Sequence, residues 1–149
     1  MNFLNSFFMN KVIVATLLSW FVAQFIKTIL VLVTSRKFDI SRMFGSGGMP
    51  SSHSSMVCTL CIMVGRIEGV ESILFAITLA FALIVMYDAA NVRQEAGKHA
   101  RIINIIIEEW EEKEHIKMDK NLKELLGHTP FEVIIGAILG CLVGGFFPV

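Results

Sequence analysis

Two short segments carry the residues of this chain best suited to chemistry, and each contains a histidine. The first is GMPSSHS at 48–54, and the second is GHTPFEV at 127–133. Both segments stand where an apolar run begins, so each histidine is expected at the start of a helix. Two imidazoles at two helix starts, with a carboxylate beside one of them, could perform phosphoryl transfer at a membrane surface if the fold brings them together.

In such a reaction His128 would be the nucleophile, because a neutral imidazole with an ordinary pKa of about 6.5 is available near neutral pH. Glu132 follows His128 by four residues and shares a helix face with it. Its carboxylate would fix the imidazole tautomer and stabilise the cation that forms, as the acid does in a Ser-His-Asp triad. His53 would be the general acid that protonates the leaving group.

Hydroxyl and N–H donors at the first helix start could hold the phosphate. Gly48, Ser51 and Ser52 lie there, and helix N-termini bind anions. A purely structural interpretation remains open, since Ser51 or Ser52 could simply cap the helix.

The second histidine segment also has a structural interpretation. Thr129, Pro130 and Glu132 form the pattern of a capping box with proline at the first helical position. That pattern alone would account for Glu132 without any chemistry.

Lys27 lies inside the first apolar run, about two turns from its end, with Gln24 on the same face. An ionisable residue inside a membrane span suggests a function. We therefore assign Lys27 to phosphate binding and Gln24 to a supporting role. The alternative is that Lys27 extends along the span to reach the interface.

Further cations follow the first and third apolar runs. Arg93 could clamp a phosphate while Asp88 orients it, or the two could pair with each other. Lys98, one turn beyond Arg93, and Arg42 in the first loop complete the predicted phosphate-binding set.

The composition predicts a membrane protein. Of the 149 residues, 54% are hydrophobic and only 17% are charged, and the formal net charge is zero. The balanced charge offers no basic field for nucleic acid, which we do not expect as a partner. Three cysteines lie within apolar runs and do not have the spacing of a zinc site. No metal or cofactor is expected, although phosphate or vanadate could occupy the site.

The apolar runs predict a single membrane domain, 1–149, built as an all-α integral membrane bundle. About four transmembrane helices are expected, because lipid-exposed backbone must satisfy its own hydrogen bonds. An amphipathic helix at 100–110 would lie along the interface, within a polar cytoplasmic region at 94–127. The predicted spans are 12–33, 52–66, 72–92 and 131–147.

Four crossings place the two long polar segments on the same side of the membrane. That side holds ten lysines and arginines, whereas the opposite side holds Lys11 and Arg66. This asymmetry predicts a candidate site that faces the cytoplasm and termini that lie outside, and we expect the protein at the cell membrane. The last span carries Gly136, Gly140 and Gly144, a small-residue face through which the protein could form homo-oligomers.

The motifs resemble those of the type 2 phosphatidic acid phosphatase and vanadium haloperoxidase superfamily. They are most similar to its divergent branch of small membrane proteins, called acid phosphatase/vanadium-dependent haloperoxidase-related. Those proteins carry GMPSSHS, DAxxVRxxAG and LGHTPxEV elements. This chain has GMPSSHS at 48–54, DAANVRQEAG at 88–97 and LGHTPFEV at 126–133, and the resemblance extends from Gln24 onward.

The resemblance implies a helical bundle and a phosphohistidine mechanism, with His128 as nucleophile, Glu132 as its orienting carboxylate and His53 as general acid. Some superfamily residues are replaced. The Lys-x6-Arg-Pro element is absent, Leu122 stands where an arginine is usual, Ser52 replaces glycine, and Glu132 replaces aspartate. These departures leave catalytic competence open.

Two main functions follow for the whole chain. The first is metal-free hydrolysis of a lipid phosphate or pyrophosphate, by an acid phosphatase-like monoester or diphosphate hydrolase. The alternative is a noncatalytic membrane protein that keeps an anion pocket for a lipid head group. Vanadate-dependent oxidation is the weakest option, because the basic residues that would cradle vanadate are incomplete.

Overall fold

The computed structural model describes residues 3–35, 48–114, 122 and 127–149, and every regular element within these ranges is helical. This agrees with the predicted all-α class. The helices, in chain order, are α1 (Phe3–Met9), α2 (Lys11–Ser35), α3 (Ser52–Glu68), α4 (Ile73–Tyr87), α5 (Arg93–Glu114) and α6 (Pro130–Phe146). A π-helical turn at Asp88–Val92 joins α4 to α5.

Helix α3 is the central element, and it packs against α2, α4 and α6. Small hydroxyl side chains let its neighbours approach closely and bond to it. The hydroxyls of Ser19 on α2 and Ser55 on α3 lie 2.6 Å apart. Thr59 donates to the carbonyl oxygen of Gly140 on α6 at 2.9 Å. Polar contacts of this kind fix the helices in one register.

The glycine row of α6 faces α3 within the chain. Gly136, Gly140 and Gly144 are all buried. A Cβ atom at Gly136 or Gly140 would collide with the backbone carbonyl of Ser51 or Ser55, respectively. The row is therefore filled by α3, and homo-oligomers that used it would first have to separate the two helices. Homo-oligomerisation itself stays a prediction.

Two stretches of helix in the described part of the chain are long and apolar enough to cross a membrane, 11–34 and 73–110. This is fewer than the predicted four. Helix α6 is apolar but has only 17 residues, which span about 26 Å against a hydrocarbon core of about 30 Å. Helix α3 has the same length and ends with Arg66 and Glu68. The number of crossings therefore stays a proposal.

The outward faces of the bundle are apolar. Large side chains on α2, α4 and α6 are exposed rather than buried, which is unusual for a water-soluble surface and normal for one that faces lipid. They include Leu17, Phe21, Phe25, Ile77, Phe81, Ile84, Ile134, Ile138 and Leu142.

Helix α5 continues from α4 through the π turn, so that helical structure runs from Ile73 to Glu114. The predicted amphipathic segment 100–110 lies within α5, which is longer than the pattern indicated. Ile102, Ile106 and Trp110 are exposed. Asn104 is buried, and its side chain bonds both the N–H and the carbonyl oxygen of Leu122 at 2.8 Å. A position along the membrane interface remains a proposal.

Candidate active site

The start of α6 places His128 beside Glu132. The Nδ1 atom of His128 lies 3.4 Å from Oε2 of Glu132, which is long for a hydrogen bond. The same carboxylate oxygen accepts the Thr129 N–H at 2.9 Å, and Thr129 Oγ1 accepts the Glu132 N–H at 3.3 Å. The predicted capping box is thus present. It also holds the carboxylate next to the imidazole, so the structural and the chemical interpretations of Glu132 are compatible.

Backbone contacts fix the position of the His128 ring. The His128 N–H donates to the carbonyl oxygen of Ala89 at 2.9 Å. Ala89 lies in the π turn, where the wider helical spacing leaves carbonyl groups available. Gly127 has φ of 84°, and a Cβ there would lie 2.8 Å from the backbone carbon of Arg93. Only glycine fits this close approach without strain.

Ala89 and Gly127 have these positioning roles although the sequence motifs alone did not assign them. The available signal was a glycine directly before the histidine, which often marks a backbone position with positive φ. The residue types at 88–92 do not predict a π turn.

The first histidine segment is joined to the second through the backbone. Ser51 donates its N–H to the carbonyl oxygen of Glu132 at 3.1 Å, which ties the start of α3 to the start of α6. His53 lies in the first turn of α3 and is half-buried. It interacts electrostatically with Lys27, Arg93 and Asp88. His128 interacts in the same way with Lys27 and His53.

Ser51 and Ser52 are both buried at the start of α3. Ser51 is the N-cap residue, and its Oγ accepts the N–H of Ser54 at 3.3 Å and the hydroxyl of Ser54 at 2.9 Å. The structural interpretation of Ser51 as a cap therefore holds. A phosphate-binding role for either serine stays a prediction.

Lys27 is a buried basic residue that interacts electrostatically with both His53 and His128. Its residue exposure is 2%, and among the described residues no hydrogen-bond partner faces its Nζ atom. The carboxylate of Glu132 attracts it electrostatically. Gly48 lies over the lysine stem, since a Cβ there would be 3.8 Å from Lys27 Cδ. The side chain therefore does not extend into solvent. Gln24, one turn earlier, is buried as well.

The other predicted cations differ in their surroundings. Arg93 Nε donates to Asp88 Oδ2 at 2.6 Å, so the alternative in which the two residues pair holds in this structure. Lys98 is exposed and pairs with Glu95 at 2.7 Å. Among the described residues, Lys98 has no contact with His53 or His128. Arg42 lies outside the described residues.

The surroundings of His128 favour its neutral form. Its burial lowers the pKa below the ordinary histidine value, and the Lys27 ammonium lowers it further. The nearby Glu132 carboxylate opposes both effects on the pKa. A neutral, buried imidazole with a carboxylate behind Nδ1 can present the lone pair of Nε2 to an electrophile, which is what a nucleophilic histidine requires.

Comparison with known proteins identifies the class. The model of the Divergent PAP2 family matches residues 8–143, and the chain belongs to that family. This confirms the resemblance inferred from the motifs and extends it toward the N-terminus. With its two long apolar helices, the chain is a helical membrane protein of this family.

One relative is the uncharacterized membrane protein YuiD of Bacillus subtilis (strain 168). It is 40% identical over 144 residues, and the match covers 90% of this chain and 91% of the relative. No solved structure matches the chain.

Proposed function

We propose that the protein is a membrane phosphatase that hydrolyses a lipid phosphate or pyrophosphate through a phosphohistidine, without a metal ion. One observation carries the proposal: His128 has Glu132 behind its Nδ1 atom, at 3.4 Å, near the buried Lys27, whose Nζ has no hydrogen-bond partner in the described part of the chain. Transfer of a phosphoryl group requires a nucleophile, a carboxylate that orients it and a cation that stabilises the phosphoryl oxygens.

In the first step Nε2 of His128 attacks phosphorus, and the bond from phosphorus to the leaving oxygen breaks. His53 gives its proton to that oxygen, so the lipid alcohol, or the lipid monophosphate from a pyrophosphate, leaves with its leaving oxygen protonated. Glu132 stabilises the charge that develops on the His128 ring. In the second step His53 takes a proton from water, whose oxygen attacks phosphorus, and the N–P bond breaks to release inorganic phosphate.

The proposed arrangement in the membrane has four crossings with the site facing the cytoplasm. The start of α3, the end of α4 and the start of α6 share one end of the bundle, as the Ser51–Glu132 and His128–Ala89 bonds require. Gly48, just before α3, lies over the stem of Lys27 from α2. The basic residues that follow these helix ends favour a cytoplasmic location for that end.

The alternative is a noncatalytic protein whose pocket binds a phosphate head group. The pairing of Arg93 with Asp88 favours it, because an arginine already held by a carboxylate is less available to a phosphoryl group. The absence of the Lys-x6-Arg-Pro element points the same way.

Phosphate release from phosphatidic acid and from an isoprenoid diphosphate, measured with purified protein in detergent, separates the two functions. The phosphatase proposal expects release that falls at least a hundredfold in His128→Ala and in His53→Ala. His99→Ala, an exposed histidine of α5, is the matched control. Full activity in both site variants would refute the mechanism. Binding of lipid phosphate by the native protein without any release would establish the alternative.

A further inference from the structure

An apolar groove runs along the outer side of α6, next to the glycine row that packs on α3. Its volume is about 570 Å³, which lies in the range of small-molecule binding sites. The groove is lined by Met86 from α4 and by Val133, Ile134, Ala137, Ile138, Cys141, Leu142 and Phe146 from α6.

Both walls of the groove lead to the candidate active site. On the α6 wall, Val133 directly follows Glu132. On the α4 wall, Met86 precedes Ala89 by three residues, and Ala89 accepts the His128 N–H at 2.9 Å. A molecule lying in the groove would therefore reach the histidine end of α6 without leaving the surface of the protein.

The dimensions and the chemistry of the groove fit a hydrocarbon chain. Val133 and Phe146 are thirteen residues apart, or about 20 Å along a helix that rises 1.5 Å per residue. One leaflet of a bilayer is about 15 Å thick, half of a 30 Å core. Ile134, Ile138 and Leu142 are exposed along the open side, where lipid would enter.

The charge at the end of the groove nearest the candidate active site determines which lipid head group binds there. Lys27 is buried without a hydrogen-bond partner among the described residues, and an anionic group would satisfy it. A neutral lipid would leave this ammonium unpaired, at a cost in free energy.

We infer that the groove holds the hydrocarbon tail of the lipid phosphate whose head group lies at Lys27 and His128. This inference rests on the proposed site for the head group, and it adds where the rest of the molecule binds. Ala137 lies one helical turn from Val133, in the part of the groove nearer the candidate active site. Its small side chain makes it the residue that sets how much chain the groove accepts.

Photo-crosslinking tests the location of the tail without requiring turnover. The probe is phosphatidic acid with a diazirine in one acyl chain, and the comparator is diacylglycerol with the same chain. Both are added to the His128→Ala variant, which keeps the lipid intact. We expect the phosphate probe to label residues 133–146 at least fivefold more than the comparator. Equal labelling by the phosphatidic acid and diacylglycerol probes would overturn the inference. Labelling that falls equally on the outer face of α2 would also overturn it.

A substitution in the groove supplies a second readout. We expect Ala137→Phe to reduce the labelling of 133–146 and to lower the ratio of long-chain to short-chain phosphatidic acid turnover about tenfold. Ala80→Phe adds the same ring to an exposed position of α4 outside the groove and should change neither quantity. Equal effects of the two variants would contradict a tail site at Ala137.

The possible results distinguish this inference from the proposed function. Head-group-dependent labelling of the groove in a native protein that releases no phosphate would refute the phosphatase and support the groove. Phosphate release with labelling elsewhere would support the phosphatase and refute the groove.

Discussion

The N–H of His128 donates to the carbonyl oxygen of Ala89 at 2.9 Å, so the π turn at the end of α4 holds the residue that begins the second motif. Two motifs that are distant in sequence thereby meet through backbone atoms. Because the bond uses no side chain, the imidazole of His128 keeps Nδ1 next to Glu132 and Nε2 for attack. Gly127 permits the close approach, and its conformation suits no other residue as well.

Replacing the carboxylate of Glu132 should separate capping from catalysis. Glu132→Gln keeps an oxygen that can accept the Thr129 N–H but loses the charge that stabilises an imidazolium. We expect phosphate release to fall about 10²–10⁴-fold, with unfolding free energy changed by less than about 1 kcal/mol. Thr129→Ala should do the reverse, costing about 1 kcal/mol of stability and little activity. Similar activity in Glu132→Gln and native protein would leave Glu132 with only a capping role.

The pKa of His128 should lie below the ordinary histidine value, in the direction that burial and Lys27 dictate. His128 then stays neutral as pH falls below about 6.5, and its nucleophilic form is lost only as pH passes the lowered pKa. Because the unfolded chain binds the proton first, stability also declines as pH falls from about 6.5 toward that folded-state value.

NMR titration of labelled histidine measures this pKa directly. Lys27→Met should raise it, since it removes a positive charge, and Glu132→Gln should lower it, since it removes a negative one. The two substitutions must shift the pKa in opposite directions. Shifts of the same sign would show that the electrostatic neighbours have been wrongly assigned.

Lys27 should bind phosphate, and Lys98 should not. Lys27→Met should weaken the binding of phosphate or vanadate at least tenfold, which corresponds to about 1.4 kcal/mol. It should also leave the fold as stable or more stable, because burying an unpaired charge is costly. Lys98→Met is the matched control, since Lys98 is exposed and already paired with Glu95. Calorimetric titration in detergent measures both affinities, and equal losses would contradict the assignment.

Two glycines of α6 offer a direct test of helix packing. Gly140→Ala should destabilise the protein by about 1–3 kcal/mol, because its Cβ would collide with the backbone carbonyl of Ser55. At Gly145 a Cβ would have no atom of another described element within 4 Å, so Gly145→Ala should be neutral or should stabilise α6 by up to about 1 kcal/mol. Thermal unfolding in detergent compares them. Equal stability of both variants would place the α3–α6 contact in doubt.

The orientation of the bundle can be tested with single cysteines. Lys98→Cys should react with a membrane-impermeant thiol reagent only from the cytoplasmic side, and Glu71→Cys only from the outside. Both positions are exposed, so lack of access would not explain a negative result. Labelling of both from one side would refute an odd number of crossings between them.

The sequence predicted much of the helical pattern, because the apolar runs were long and the cap residues were explicit. Thr129, Pro130 and Glu132 marked the start of α6, which begins at Pro130. The end of the amphipathic helix was less predictable. The predicted amphipathic helix ended at residue 110, whereas α5 continues through residues 111–114. Nothing in that stretch of glutamates and lysines stops a helix.

The contacts around the site were harder to foresee, because they depend on which helices meet. Spacing alone placed Glu132 on the His128 face, but it left two roles open for Arg93 and Asp88, and the structure pairs them. Lys98 follows Arg93 closely in sequence, yet it turns to Glu95. Gly136 and Gly140 suggested an intermolecular face, whereas α3 occupies it. Small-residue rows indicate close helix contact without identifying the partner.

The seating of α6 on α3 has a consequence for how the protein can change through evolution. Gly136 and Gly140 repeat every four residues, so a slip between the helices would advance by about 6 Å, one whole glycine step. Such a slip would move His128 away from His53 while leaving much of the apolar contact intact. A mutation in this row would therefore separate the two imidazoles in the fraction of protein that stays folded, so activity would fall further than the loss of stability alone explains.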